Sequence, residues 1–227
     1  MNTADNWLLS KIMFLVPLLL SLSVHEWAHA WAAARMGDDT AKHMGRLTVN
    51  PLAHIDPVGT ILLPLMGVPF GWAKPVPINP LRFRPDVDMG KGVMLTAIAG
   101  PISNIVLAFL CAMMIYILSG ILSIPLMHGQ AYGLYKLLAI MVLMNVILAA
   151  FNAIPVPPLD GSRVMDYFVP RRFRPQWEKF YSLGPLALLA VIFLPQMMGF
   201  SLMKWPVHIT VLLLESLCPG IWRVLAR

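Results

Sequence analysis

Between Gly92 and Tyr135 the chain reads GVMLTAIAGPISNIVLAFLCAMMIYILSGILSIPLMHGQAYGLY, 44 residues without one Asp, Glu, Lys or Arg. About 20 apolar residues in a helix cross the hydrocarbon core of a bilayer, so this run holds two spans. Gly120, Pro125 and Gly129 mark the turn between them. The pattern predicts one helix over residues 92–121 and another over 133–154. Working outward, a first helix covers residues 8–34. At about 1.5 Å per residue it is about 40 Å long, and must tilt or project from the membrane. An uncharged run over residues 181–203 predicts a fourth span. Residues 205–222 predict a fifth, interrupted by Glu215, Pro219 and Gly220. The N-terminus does not read as a signal peptide: Asp5 precedes Lys11, and no small-residue cleavage site follows the apolar run.

Composition agrees. Of 227 residues 58% are hydrophobic and 12% charged, whereas soluble domains carry about 25% charged residues. That excludes a soluble domain. Two cysteines, Cys111 and Cys218, both in apolar stretches, exclude a disulfide framework or a Cys-ligated metal cluster. Trp7, Trp72, Trp177, Trp205 and Trp222 fall near predicted helix ends, where indoles anchor at the membrane interface.

Residues 58–72 decide the topology. They are apolar, but Gly59, Pro64, Gly67, Pro69 and Gly71 break them up, so a re-entrant or surface-lying segment packed on protein is expected. If they do not cross, fourteen of the seventeen basic residues share one face and only Lys11, Lys136 and Lys204 lie on the other. The positive-inside rule then puts the N-terminus outside and the C-terminus in the cytosol, in what is expected to be a bacterial plasma membrane. The net charge of +6 thus fixes orientation, and no nucleic-acid partner is expected. Arg171, Arg172 and Arg174 read as a loop at the lipid headgroups. The expected fold is an all-α polytopic membrane protein with about five transmembrane helices. A short re-entrant or β-like segment follows the first, and a single domain covers residues 1–227.

The first helix contains His25-Glu26-Trp27-Ala28-His29. Histidines four residues apart lie on one helical face and can hold one Zn²⁺, with Glu26 placed as a general base. Two His and a Glu could instead satisfy one another in a bundle, but ionisable groups inside a membrane helix default to function. A third protein ligand is then needed. Among the eleven acidic residues, Asp160 stands apart in the stretch Asn152-Ala-Ile-Pro155-Val-Pro157-Pro158-Leu-Asp160-Gly161. Its prolines stop the preceding helix, and Gly161 permits a close approach. A plain helix stop would read the same way. With five spans, however, Asp160 and His29 fall at the same, cytosolic end.

Together, His25-Glu26-Trp27-Ala28-His29 in a membrane helix and the proline-rich segment ending Leu159-Asp160-Gly161 resemble the site-2 protease family of intramembrane zinc metalloproteases. Residues 50–57 and Gly100-Pro101-Ile102-Ser103-Asn104 add to the likeness. The resemblance covers the chain from the first helix to Arg163. It implies one zinc ion per chain on His25, His29 and Asp160, with Glu26 as catalytic base and the first three spans as a catalytic core (residues 8–163). Residues 181–222 would be accessory. It also implies that Asn152 and a strand-like backbone at Pro155 and Pro157 help hold a transmembrane protein or peptide substrate beside the lipid bilayer. Family members with an added PDZ or nucleotide-sensing domain are not matched here, since the longest hydrophilic segment, residues 36–91, is already occupied by the re-entrant stretch.

Gly100 and Asn104 suit close helix packing; Asn104 could also contact substrate by stabilising an oxyanion. His54 reads as turn chemistry beside Asp56 and Pro57. Two other readings are a membrane zinc protease whose third ligand is Glu178 or Glu215, and a non-enzymatic zinc-binding carrier or scaffold.

Overall fold

The structure is a computed structural model, and it describes residues 3–66, 71–125, 130–199 and 201–225. Gly67, Pro69 and Gly129 lie outside the described residues, as do the side chains of Trp7 and Trp222.

Helix α1 (Thr3–Arg35) opens the chain and the short α2 (Thr40–His43) follows it. A π-helical turn, Pro57–Leu62, runs into α3 (Leu63–Leu65). Asp88 caps α4 (Met89–Tyr116) by accepting from the Lys91 amide at 2.8 Å, and a π-helical turn, Ile117–Ile121, prolongs it. Then come α5 (Gln130–Asn152), α6 (Asp160–Phe168), α7 (Arg174–Ser182), α8 (Gly184–Met197), α9 (Lys204–Leu217) and α10 (Ile221–Leu225). Among the described residues no strand forms, and the protein is an all-α polytopic membrane protein.

Among the described residues three helices are long and apolar enough to cross a membrane, residues 11–35, 89–121 and 131–152, and a bent pair, residues 171–182 and 184–195, makes a fourth if it counts as one span. Of the about five spans expected, the last two are not met as single long helices. Helices α8 and α9 have 14 residues each, about 21 Å at 1.5 Å per residue, against a core of about 30 Å. Between residues 171–182 and 184–195 the axis bends by 73°, and Gly199 closes α8 at a left-handed φ of 78°. Past α9, the Gly220 amide donates to Glu215 at 2.7 Å and Gly220 itself has φ 89°. An uncharged run shows that a segment tolerates lipid; the glycine turns inside it decide where the helix ends.

Helix α4 is the centre of the bundle, packing on α1, α5 and α6. Its inward positions are small or polar, with Ala97, Gly100, Asn104, Ala108 and Cys111 all buried. Bulky Ile105, Val106, Phe109 and Leu110 point outward and are exposed. This arrangement suits a membrane, where lipid already solvates large apolar groups and helices associate through small residues and interior hydrogen bonds. Deeper in, Ala108, Cys111 and Ile115 meet Tyr135, Ala139 and Val142 of α5, and Leu214, Cys218 and Ile221 close the cluster.

Residues 57–65 fold back on α1 as the sequence predicts for a non-crossing segment, and Lys11 Nζ donates to the Pro64 carbonyl at 3.0 Å. Asp56 starts the turn by accepting from the Val58 and Gly59 amides at 3.0 and 2.7 Å. The chain returns as an irregular stretch over residues 71–79. Thr60 Oγ1 donates to the Trp72 carbonyl at 2.8 Å, and the Trp72 indole lies on Gly59. Trp72 therefore clamps the two arms together rather than only anchoring at an interface. A Cβ at residue 59 would come within 2.5 Å of the indole. Gly59→Ala is expected to destabilise this hairpin by about 1–3 kcal/mol, the usual cost of overpacking, read as faster proteolytic nicking within residues 57–79. Gly133→Ala, where an added Cβ meets nothing within 4 Å, is the matched control and should leave the nicking rate unchanged.

Candidate metal centre

His25 and His29 face the interior of the bundle from consecutive turns of α1, both buried, with ring centroids 4.6 Å apart. Each Nδ1 has an acceptor on α4. His25 Nδ1 lies 2.6 Å from Asn104 Oδ1, and His29 Nδ1 lies 2.7 Å from the Thr96 carbonyl. A neutral imidazole carries one N–H. Because Nδ1 must donate in both rings, each Nε2 presents a lone pair. The two Nε2 atoms are 3.1 Å apart, and Asp160 Oδ2 lies 3.1 and 3.3 Å from them. Burial raises the Asp160 carboxyl, and only protonated imidazoles beside it would bring it down again; with both rings neutral, a cation between the three atoms is what would keep it ionised.

With both rings neutral, three acceptors converge in a buried place, and Asp160 Oδ2 has no hydrogen-bond donor. Buried polar atoms are otherwise almost always paired. A cation satisfies all three at once. Tetrahedral Zn²⁺ with bonds of about 2.0–2.1 Å spaces its ligands about 3.3 Å apart, close to the separations here. Two imidazoles and one carboxylate also match the three-ligand set of catalytic zinc sites, which leaves a fourth position open. The residues fit the metal. Among the described residues this is the one group of His, Cys, Asp or Glu so arranged. Neither Glu178 nor Glu215 joins it, and Glu215 is bonded to the Gly220 amide.

Backbone shape makes the convergence possible. Asp160 opens α6, where unpaired helix amides favour an anion. A Cβ on Gly161 would come within 2.5 Å of the Ile154 carbonyl, so this glycine lets α6 turn back against the end of α5. Gly100 is the floor under the imidazoles: a Cβ there would lie 2.5 Å from His29 Cε1 and 2.6 Å from His25 Cε1. Gly100→Ala is therefore expected to displace both rings and weaken zinc binding about 10–100-fold, comparable to losing a ligand's supporting contact, as measured by chelator competition.

The remaining sequence candidates are placed differently. Glu26 Oε2 accepts from the Val76 amide at 2.8 Å, so the return stretch holds the carboxylate beside the His pair. Asn152 is the last residue of α5, where its Nδ2 donates to the Leu148 carbonyl at 3.0 Å. Pro155 is exposed and Pro157 buried. The expectation of a strand-like backbone there is not met: the Val156 amide donates to Ile154 at 2.8 Å and Leu159 to Val156 at 2.9 Å, which uses up the amides a strand would offer. Asn104 is fully buried with both amide donors engaged, to Asn145 at 2.7 Å and to the Ser21 carbonyl at 3.3 Å. No donor remains for an oxyanion or a substrate, so this candidate supports His25 instead. His54 Nε2 lies 2.8 Å from the Thr48 carbonyl, within the loop. Sequence reasoning missed Thr96, Ser21, Asn145 and the Val76 amide. A polar residue within an apolar span was signal enough for Asn145; a backbone amide leaves none.

The sequence pattern of peptidase family M50 matches residues 88–194, a stretch that carries Asp160 but not the histidines. Two relatives bear the name "Putative zinc metalloprotease". YwhC of Bacillus subtilis (strain 168) is 39% identical over 199 residues, covering 87% of either chain. Rip2 of Mycobacterium tuberculosis (strain H37Rv) is 27% identical over 183 residues, covering 81% of this chain and 65% of its own. No solved structure matches. With that degree of identity over nearly its whole length, the chain belongs to peptidase family M50, the site-2 protease family, and is a zinc metalloendopeptidase of the membrane.

Proposed function

We propose that the chain cleaves peptide bonds in or near the transmembrane segments of other membrane proteins, using one zinc ion held by His25, His29 and Asp160. The observation that carries this reading is the meeting of three ligand atoms, 3.1–3.3 Å apart, inside a helix bundle. Residues 8–163 form the catalytic core of a single domain, and residues 181–222 are accessory. The charge distribution supports an N-terminus outside and a site toward the cytosolic face of a bacterial plasma membrane. The partners are a transmembrane substrate and lipid, with no role for nucleic acid.

Zinc bound there would supply a Lewis acid that lowers the pKa of a water molecule toward about 7 and polarises the scissile carbonyl. Glu26 takes the proton of the attacking water and returns it to the leaving amine. Its Oε2 is bonded to Val76, which leaves Oε1 as the proton-carrying atom. A helical substrate has its carbonyls tied up within the helix and must unwind before attack. Residues 71–79, irregular and bonded to Glu26 through the Val76 amide, would guide an unwound strand past the base. Asn152 and the exposed Pro155, in the segment leading to Asp160, would then contact substrate through side chains rather than by strand pairing, with the buried Pro157 shaping the turn.

Three measurements test this. Glu26→Gln keeps the ligands and removes the base, so zinc content should stay at one per chain while cleavage of membrane-segment peptides falls by about 100-fold or more. A cellular role that survives this change would favour the carrier or scaffold reading. Asp160→Ala should abolish stoichiometric zinc; retention of the metal would return the third ligand to a Glu. Substrates with a helix-breaking Gly or Pro near the cleaved bond should be cut faster than stiff helical ones, and equal rates would overturn the unwinding step.

A further inference from the structure

Behind the metal face of His25 lies a chain of buried amides that no ligand assignment requires. Ser21, Asn104 and Asn145 are each fully buried, on α1, α4 and α5. We propose that Asn145 is a positioning residue for the metal centre: acting through Asn104, it holds His25 in the tautomer that offers Nε2 to the ion. The proposal rests on the metal-binding reading above.

The argument is one of proton accounting. Asn145 Nδ2 lies 2.8 Å from the Met141 carbonyl, which can only accept, so that end of the amide is the donor. The same nitrogen donates to Ser21 Oγ at 2.7 Å. Asn145 Oδ1 is therefore the acceptor facing Asn104, and takes a hydrogen bond from Asn104 Nδ2 at 2.7 Å. That nitrogen also reaches the Ser21 carbonyl at 3.3 Å, again an obligate acceptor. Asn104 must then turn Oδ1 toward His25, whose Nδ1 stands 2.6 Å away and has to donate. A carbonyl at the far end thus fixes the sense of every bond in the series, and the last consequence is an unprotonated Nε2 in the ligand position.

Packing alone does not account for these residues. Each buried amide without a partner would cost free energy, and an apolar side chain of similar volume would fill the Asn145 position in a membrane bundle more cheaply. His29 achieves the same orientation with one backbone carbonyl, that of Thr96. His25 has no such carbonyl among its bonds, and its Nδ1 acceptor is a side-chain amide that could flip. Two acceptors oppose the flip, and Asn145 Oδ1, at 2.7 Å against 3.3 Å for the Ser21 carbonyl, makes the closer bond. Support of this kind for a metal-bound histidine is worth about 10–100-fold in metal affinity.

The test is zinc affinity by chelator competition in full-length protein, with the absorption of the Co²⁺-substituted form as a second readout. Four proteins besides wild type are compared: Asn145→Leu, Asn145→Ser, Asn104→Ala, and the double variant Asn104→Ala/Asn145→Leu. Asn145→Ser guards against a Leu variant that fails to fold, because serine can bond the Met141 carbonyl within α5 yet is too short to reach Asn104. Either Asn145 variant should bind zinc about 10–100-fold more weakly, with altered Co²⁺ bands. The double variant should be no worse than Asn104→Ala alone, since Asn145 acts through Asn104. Wild-type affinity in a folded Asn145 variant would overturn the proposal, as would losses that add in the double variant. Absence of zinc from the wild type would instead overturn the metal centre itself, and the positioning role with it.

Discussion

Two imidazole lone pairs and a carboxylate oxygen, 3.1–3.3 Å apart and largely buried, repel one another unless a cation lies between them. The rest of the bundle is organised around that repulsion. An isolated carboxylate in a low-dielectric interior is strongly disfavoured, and an apolar bundle could relieve it by protonating Asp160 or by swinging α6 away. Helix α6 has not swung away: Asp160 stays within 3.3 Å of both rings. The turns that place Asp160, the glycine beneath the two rings and the acceptors behind each Nδ1 all hold the three atoms together. In such a site, the free energy of metal binding is part of the free energy of the fold.

The same constraint explains why α4 is built inside out. An ordinary buried helix would turn leucine and isoleucine inward; this one turns Gly100, Asn104 and Ala108 inward and sends Ile105, Phe109 and Leu110 to the lipid. Small residues bring α4 close enough to α1 for Asn104 and the Thr96 carbonyl to reach the imidazoles directly. Large ones would fill the space that the rings occupy. In a bilayer, exposing bulky apolar side chains carries no hydrophobic cost, so close approach is obtained without a loss of apolar burial.

Much of this was legible in the chain because membranes impose coarse rules. The uncharged run over residues 92–135 locates α4 and α5 to within a few residues, and the spacing of His25 and His29 places both on one face. Charge asymmetry over the loops kept residues 58–72 from being read as a span, and the structure folds the described part of them back on α1. The misreadings share a cause. Helices α8 and α9 look like spans because hydropathy does not register a left-handed glycine or a 73° bend. The segment at Pro155 and Pro157 looks extended because proline favours extended backbone, yet the Val156 and Leu159 amides close local turns. Asn104 looks like a substrate contact because its neighbours on α1 and α5 cannot be identified from α4 alone.

The Val76 amide shows a further limit of one-dimensional reading, since it joins the proposed base to a segment fifty residues away. That segment is itself fastened at several points. Arg46, buried and without a carboxylate partner among the described residues, donates to the Lys74 carbonyl and, at 3.4 Å, to that of Pro75. The buried Asp38 accepts from the Asn79 amide at 2.6 Å, and the Lys74 amide donates to His54 at 3.0 Å. Hydrogen bonds to charged groups contribute about 1.5–3 kcal/mol each, and two such contacts bracket Val76 in sequence. Glu26 is therefore oriented by the loop and not by α1 alone. Moving residues 71–79 to admit a substrate would change the hydrogen bonding of the carboxylate that must accept the proton. A substrate that entered by displacing residues 71–79 would therefore alter the proposed base as it did so.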